Sequence, residues 1–279
     1  MKILVTGAEG MVARAVSRVC AFLGDDVTAL AKRDLDITDR ESVSRVMKEA
    51  GFEAVINCAA YTDVDGAESN AGLCYAVNAE GVGNLAAACR DADSAFVTIS
   101  TDYVFDGAKE GFYNESDEPR PQSVYAAAKL EGEKLAAAGY ARSIIVRSGW
   151  IFGSGGTNFL SVMPDLLAEG RRIIAINDSF GTPTYANDLA VRLRELSGSG
   201  SEGVFHVVNA GEGTSYFGFA QEACEAGGFD GSLVSTVSAA DLQRPAQRPS
   251  NSKLSTVRGG SFGPLLDWRD AVRRFVVEG

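Results

Sequence analysis

The chain has 279 residues, with 26 Lys and Arg against 37 Asp and Glu, a formal net charge of -11, 46% hydrophobic and 23% charged residues. That balance belongs to a soluble globular chain, long enough for one large domain or two tightly joined ones. The acidic surplus, with no Lys/Arg cluster to reverse it locally, argues against nucleic acid as a partner, so a phosphate-bearing ligand must be held by helix N-termini and single arginines.

In chain order, residues 2–6 read as a strand and run straight into Gly7, a pattern unlike a secretion signal. Residues 11–23 follow as a helix, 26–30 as a strand, and 39–50 as a helix with Asp39 as its N-cap. Strand 54–57, helix 73–90, strand 95–100, helix 124–137 and strand 143–147 complete the first half. Strands that are apolar throughout and alternate with helices predict a parallel sheet covered on both faces, in a doubly wound α/β (Rossmann-type) fold. Beyond Trp150 the rhythm loosens: helix 158–169, strand 173–176, helix 186–196, a Gly/Ser loop at 197–203, strand 204–208, then helices 215–226 and 268–277. The expected organisation is a dinucleotide-binding domain over 1–149, completed by the strand near 203–209, with 150–279 as a smaller interleaved substrate-binding part. No apolar run is long enough to span a bilayer, so no membrane partner is expected.

The five cysteines, Cys20, Cys58, Cys74, Cys89 and Cys224, form no C-x-x-C pair and sit mostly in apolar stretches. They read as reduced thiols of a cytoplasmic protein. The single histidine, His206, lies in a strand-like run and reads as structural. Its isolation excludes zinc sites built on several histidines, and no nucleophile motif points to it as part of a serine triad.

Gly7-Ala8-Glu9-Gly10-Met11-Val12-Ala13 follows a strand and opens a helix. Gly7 permits the tight turn, Gly10 lets backbone approach a pyrophosphate, Ala13 allows close helix packing, and the helix N-terminus at Met11 and Val12 offers free N–H groups. At the end of the second strand, Lys32 and Arg33 stand where the ribose 2′ position is judged, which favours NADPH and leaves NADH open. Asp36 and Ile37 are candidates for adenine contact, while the small residues Cys58, Ala59 and Ala60 after Asn57 leave room for ribose and phosphates.

Tyr125 and Lys129 stand four residues apart on a predicted helix and so share a face. A nearby ammonium is expected to lower the tyrosine pKa, and the phenol can then protonate the alkoxide formed from a ketone. Lys129 can also hold the nicotinamide ribose. Thr101 lies at the carboxyl end of the fourth strand, where doubly wound sheets bind ligands, and its hydroxyl can donate to the same carbonyl oxygen.

With these segments in view, the sequence resembles the dTDP-4-dehydrorhamnose reductase family of extended short-chain dehydrogenases/reductases. The resemblance is carried by 57–65, Ser100-Thr101-Asp102-Tyr103-Val104-Phe105-Asp106-Gly107, Tyr125 to Lys129 with Leu130-Glu131-Gly132-Glu133, and Arg147-Ser148-Gly149-Trp150. The segments 177–184 and 248–254 are its most family-specific parts. The resemblance implies hydride transfer to C4 of dTDP-4-dehydro-L-rhamnose, with Thr101 and Tyr125 on the ketone oxygen and Lys129 tuning Tyr125. It implies that Trp150 packs on the sugar and that Thr62, Val64 and Asp102 line the pocket. A nucleotide-sugar diphosphate needs cations, and Arg248 is the candidate. Some relatives use a divalent cation such as Mg2+ and dimerise. No residue here maps onto such a cation site, so the metal stays unassigned and a homodimer stays open. A ketoreductase or epimerase on another nucleotide sugar remains an alternative, as does a non-catalytic NADP-binding regulatory subunit.

Overall fold

The computed structural model describes residues 1–258 and 262–278. Six strands form one parallel sheet: β1 (Lys2–Thr6), β2 (Asp26–Leu30), β3 (Ala54–Asn57), β4 (Ala95–Thr101), β5 (Ser143–Ser148) and β10 (Gly203–His206), in the order β10-β5-β4-β3-β1-β2. The doubly wound α/β expectation holds, including the return of a late strand to the sheet edge. Alternate residues of each strand feed opposite faces. Ile3, Val5, Ile56, Val97, Ile144 and Val146 pack under α1 (Met11–Phe22) and α8 (Ala186–Ser197). Leu4, Val55, Phe96 and Ile145 pack under α2 (Arg40–Ala50), α5 (Gly81–Ala92) and α6 (Val124–Gly139).

The predicted helix over 73–90 is present as continuous helical backbone, but it carries a π turn in its middle. The chain forms α3 (Val64–Ser69), which was not expected, then α4 (Ala71–Tyr75), a π segment over Ala76–Glu80, and α5. The extra residue in the π segment turns Asn78 inward, where its amide donates to the Tyr61 carbonyl and accepts from the Tyr61 N–H, both at 2.9 Å. A buried amide with both groups satisfied locks the loop after β3 to the helix layer. β4 also extends one residue past expectation, so Thr101 is the last residue of the strand.

The remaining chain builds a second cluster from α7 (Phe159–Ala168), α9 (Tyr216–Gly227) and α10 (Trp268–Glu278), with Phe152, Phe219, Trp268 and Phe275 at its centre. Three two-stranded pairs fasten it: β6 (Ile151–Phe152) with β9 (Thr184–Tyr185), β7 (Ile173–Ile176) with β12 (Val234–Val237), and β8 (Phe180–Gly181) with β11 (Thr214–Ser215). Segment 248–254 ties back to the main body, since Asn251 Nδ2 donates to the carbonyls of Lys109 and Gly111 at 2.7 and 2.8 Å. Ser252 N and Phe180 N bond across to the Phe180 and Ser250 carbonyls. Among the described residues, no helix is long and apolar enough to cross a membrane.

Candidate active site

Strand order reverses at β1, and ligands of doubly wound sheets bind outside the carboxyl ends of the strands at such a point. A cleft of ≈ 850 Å³ opens there. Gly7 turns the chain with φ 69°, and a Cβ on it would stand 2.8 Å from the Ala59 backbone, so only glycine lets the two loops touch. Beneath them, the Thr6 hydroxyl donates to Asn57 Oδ1 at 2.6 Å and Asn57 Nδ2 donates to Thr98 Oγ1 at 3.0 Å. Gly10 caps α1 without any side-chain hydrogen bond. The first-turn N–H groups are therefore free for an anion.

The cleft is lined by Gly10, Met11, Val12, Cys58, Ala59, Ala60, Thr62, Val64, Thr101, Asp102, Tyr125, Lys129 and Trp150, all expected from sequence. Gly7 lies beneath this lining. Lys32 and Arg33 stand on the exposed surface beyond it. Asp36 accepts from the Thr38 N–H and hydroxyl, and Ile37 is buried in the core. The apolar side chain of Ile37 packs against Gly81 at the start of α5, which leaves only its backbone for the adenine contact expected of it. Burial pushes the Cys58 thiol up to about 12, so it is a neutral wall of the cleft.

On α6, capped by Ser123, three side chains share a face: Tyr125, Lys129 and Glu133. Lys129 is 5% exposed, and its ammonium donates to the Ile99 carbonyl at 2.6 Å. Burial lowers its pKa to about 8, with the Glu133 charge opposing the shift. Glu133 is itself held by Arg147, through Nη2–Oε2 at 2.7 Å, and by the Ser100 hydroxyl at 2.5 Å. The expected lowering of the Tyr125 pKa is reversed: burial raises it, and a hydrogen bond with the Thr101 hydroxyl only partly offsets this. The phenol is thus held in the protonated form, the form that can donate. Thr101 Oγ1 also donates to Asp102 Oδ1 at 3.1 Å. Asp102 is 3% exposed and burial raises its carboxyl to about 7, with Ser252 and Thr101 pulling the other way.

Trp150 adopts φ 50°, a costly conformation for a bulky side chain. The turn is built around it. A Cβ on Gly149 would strike the Asp102 carboxyl, and one on Gly181 would strike the indole. One indole face stacks on Tyr216 at 3.9 Å between centroids, so the expected sugar contact has only the opposite face or the edge available.

Trp150, Tyr103, Tyr216, Leu242 and Arg244 also line a second cavity of ≈ 520 Å³ that continues the cleft. Arg248 lines only this second cavity, and Asp65 grips its guanidinium through both nitrogens, Nη2–Oδ2 at 2.9 Å. Arg248 is therefore committed to tying its loop to α3, whereas Arg244 faces both spaces. Sequence reasoning passed over Arg244, Tyr103 and Tyr216. Tyr103 adjoins the Thr101-Asp102 pair and was within reach, but nothing in the spacing singled out Arg244 from its neighbours. Among the described residues, no group of three or more His, Cys, Asp or Glu is placed to hold a metal ion.

The RmlD substrate binding domain family matches residues 1–279. A dTDP-4-dehydrorhamnose reductase of Mycobacterium tuberculosis is 41% identical, over 97% of this chain and 91% of that protein. One from Streptomyces griseus is 39% identical, over 96% and 91%. A solved dTDP-4-dehydrorhamnose reductase of Bacillus anthracis, in complex with NADP, is 33% identical and superposes with a TM-score of 0.95 over 100% of both chains.

Proposed function

Since the chain belongs to the dTDP-4-dehydrorhamnose reductase family, we infer that it is an oxidoreductase that reduces the C4 ketone of dTDP-4-dehydro-L-rhamnose to give dTDP-L-rhamnose. The hydride donor in this reading is NADPH. The uncapped N-terminus of α1 and the glycine turn pressed on Ala59 fit its pyrophosphate. When bound, the nicotinamide supplies the hydride.

The chain's own residues supply the rest. Tyr125, kept protonated by burial, donates to the oxygen at C4. Thr101 orients the phenol, and by turning its one proton away from Asp102 it offers a second hydroxyl to the same oxygen. Lys129 is fixed by the Ile99 carbonyl and places positive charge beside the site below pH about 8. The sugar lies at the junction of the two cavities near Trp150, Asp102, Thr62 and Val64. The diphosphate lies toward Arg244, and the nucleotide fills the second cavity.

The observation that carries the reading is the meeting of Thr101, Tyr125 and Lys129 in one cleft whose other half is an open helix N-terminus. A purely regulatory dinucleotide binder has no use for that cluster. The test is NADPH oxidation with dTDP-4-dehydro-L-rhamnose, with the product identified by NMR. Tyr125→Phe should lower turnover about 10²–10⁴-fold while NADPH affinity holds. Unchanged turnover in that variant would remove Tyr125 from the chemistry, and no cofactor consumption in the parent would overturn the activity.

A further inference from the structure

The sequence places two cations, Lys32 and Arg33, at the end of β2, and the structure engages Arg33 in ion pairs. The backbone joins the glycine loop to this strand end through Ala8 N and the Leu30 carbonyl at 3.1 Å. Across that join, Arg33 Nη1 donates to Glu9 Oε1 at 2.6 Å. Glu9 lies within the glycine turn and lines the mouth of the cleft. Arg33 Nε stands 3.9 Å from Asp34 Oδ1, and the Asp36 carboxyl is held low by hydrogen bonds from the Thr38 N–H and hydroxyl, with a smaller contribution from the Lys32 charge. With Glu9, Asp34 and Asp36 standing against Lys32 and Arg33, the strand end carries no positive surplus.

The two acids differ in what else they do. Asp34 Oδ2 accepts from the Ala31 N–H, which closes its own turn. The Glu9 carboxylate has no partner among the described residues other than Arg33. We propose that Glu9 is the cofactor-specificity determinant of this chain: it occupies the arginine that a 2′-phosphate needs and so limits preference for NADPH over NADH. The inference rests on the dinucleotide reading of the cleft. A dianionic 2′-phosphate must displace the Glu9 carboxylate and then remain beside it. A 2′-hydroxyl asks for neither. Both side chains are largely exposed, 75% for Arg33 and 68% for Glu9, so solvent screening keeps the effect modest.

The test is equilibrium titration of the intact protein with NADPH and with NADH, read by fluorescence, at low and high salt. Glu9→Gln should tighten NADPH about 3–10-fold at low salt, leave NADH within about twofold, and lose most of the gain at high salt. Adding Arg33→Met to Glu9→Gln should abolish the gain, because the freed arginine is its source. An unchanged NADPH-to-NADH ratio in Glu9→Gln overturns the proposal. Equal tightening of both cofactors also overturns it, since Glu9 would then act on the shared pyrophosphate. If neither dinucleotide binds the parent protein, the cleft reading falls and this inference falls with it.

Discussion

At Asp102, burial raises a carboxyl from the ordinary 3.8 to about 7, and the side chain lies in the floor of the cleft beside Thr101. Between those two values the folded chain keeps a proton that the unfolded chain has lost. Stability therefore falls as pH rises through that window, and the full penalty is present above pH about 7. Asp102→Asn keeps the shape and removes the titration. It should stabilise the protein more at pH 8 than at pH 5, by about 2 kcal/mol, in urea unfolding at the two pH values. An equal effect at both would mean that Asp102 is ionised throughout and that its surroundings compensate it. Tyr125 teaches a related point. The spacing of Tyr125 and Lys129 was readable from sequence, because a shared helix face follows from periodicity. The sign of the tyrosine shift was not, because it depends first on how far the fold desolvates Tyr125, with the Thr101 hydrogen bond only partly offsetting that burial.

At the scale of elements, the contact between α6 and the π segment sets the position of the face that carries Tyr125 and Lys129. Gly132 of α6 touches this segment so closely that a Cβ would strike the Asn78 carbonyl oxygen. Helix propensity alone favours Gly→Ala by about 1 kcal/mol. Packing opposes it here, since the struck atom is the backbone carbonyl of Asn78, whose own side chain clamps Tyr61. Gly132→Ala should therefore destabilise by about 3 kcal/mol and lower turnover with it. Gly72 on α4 has nothing within 4 Å of its missing Cβ, so Gly72→Ala should stabilise by about 0.5–1 kcal/mol. Thermal melts of the two variants check both signs, and a stable Gly132→Ala would show that the helices can separate without cost. The π turn was hidden in the sequence because Cys74, Asn78, Val82, Leu85 and Cys89 keep helical spacing across it. The one available signal was Asn78, an amide inside an apolar stripe, which needs partners that a regular helix does not supply. The two-residue strands β6, β8, β9 and β11 are too short to show any alternation.

Over the whole molecule, the two halves of the chain share one sheet, and this decides what a fragment can do. The return of β10 to the sheet was legible, since an apolar run after a Gly/Ser loop reads as a strand. The docking of α8 was not, because an amphipathic helix carries no label for the surface it will cover. In the structure α8 lies against α1, and the two together cover one face of the sheet, with Leu189, Leu193 and Leu196 almost fully buried. A buried leucine contributes about 1.5–3 kcal/mol, so these three with Ala186, Ala190 and Phe205 of β10 supply on the order of 10 kcal/mol. That is comparable to the whole net stability of a domain, about 5–15 kcal/mol. A fragment of residues 1–149 keeps the glycine turn, Thr101, Tyr125 and Lys129, yet it lacks this cover and the edge strand. It should show no cooperative unfolding transition, bind a hydrophobic dye, and fail to bind NADPH, whereas the full chain melts cooperatively. Calorimetry with dye fluorescence distinguishes the cases. A cooperative melt of 1–149 would mean that the first half is a self-sufficient cofactor domain and that the cover is dispensable. If the fragment collapses as expected, the glycine-turn half of the cleft depends on residues more than 50 positions beyond Lys129, through the core that α8 and β10 complete.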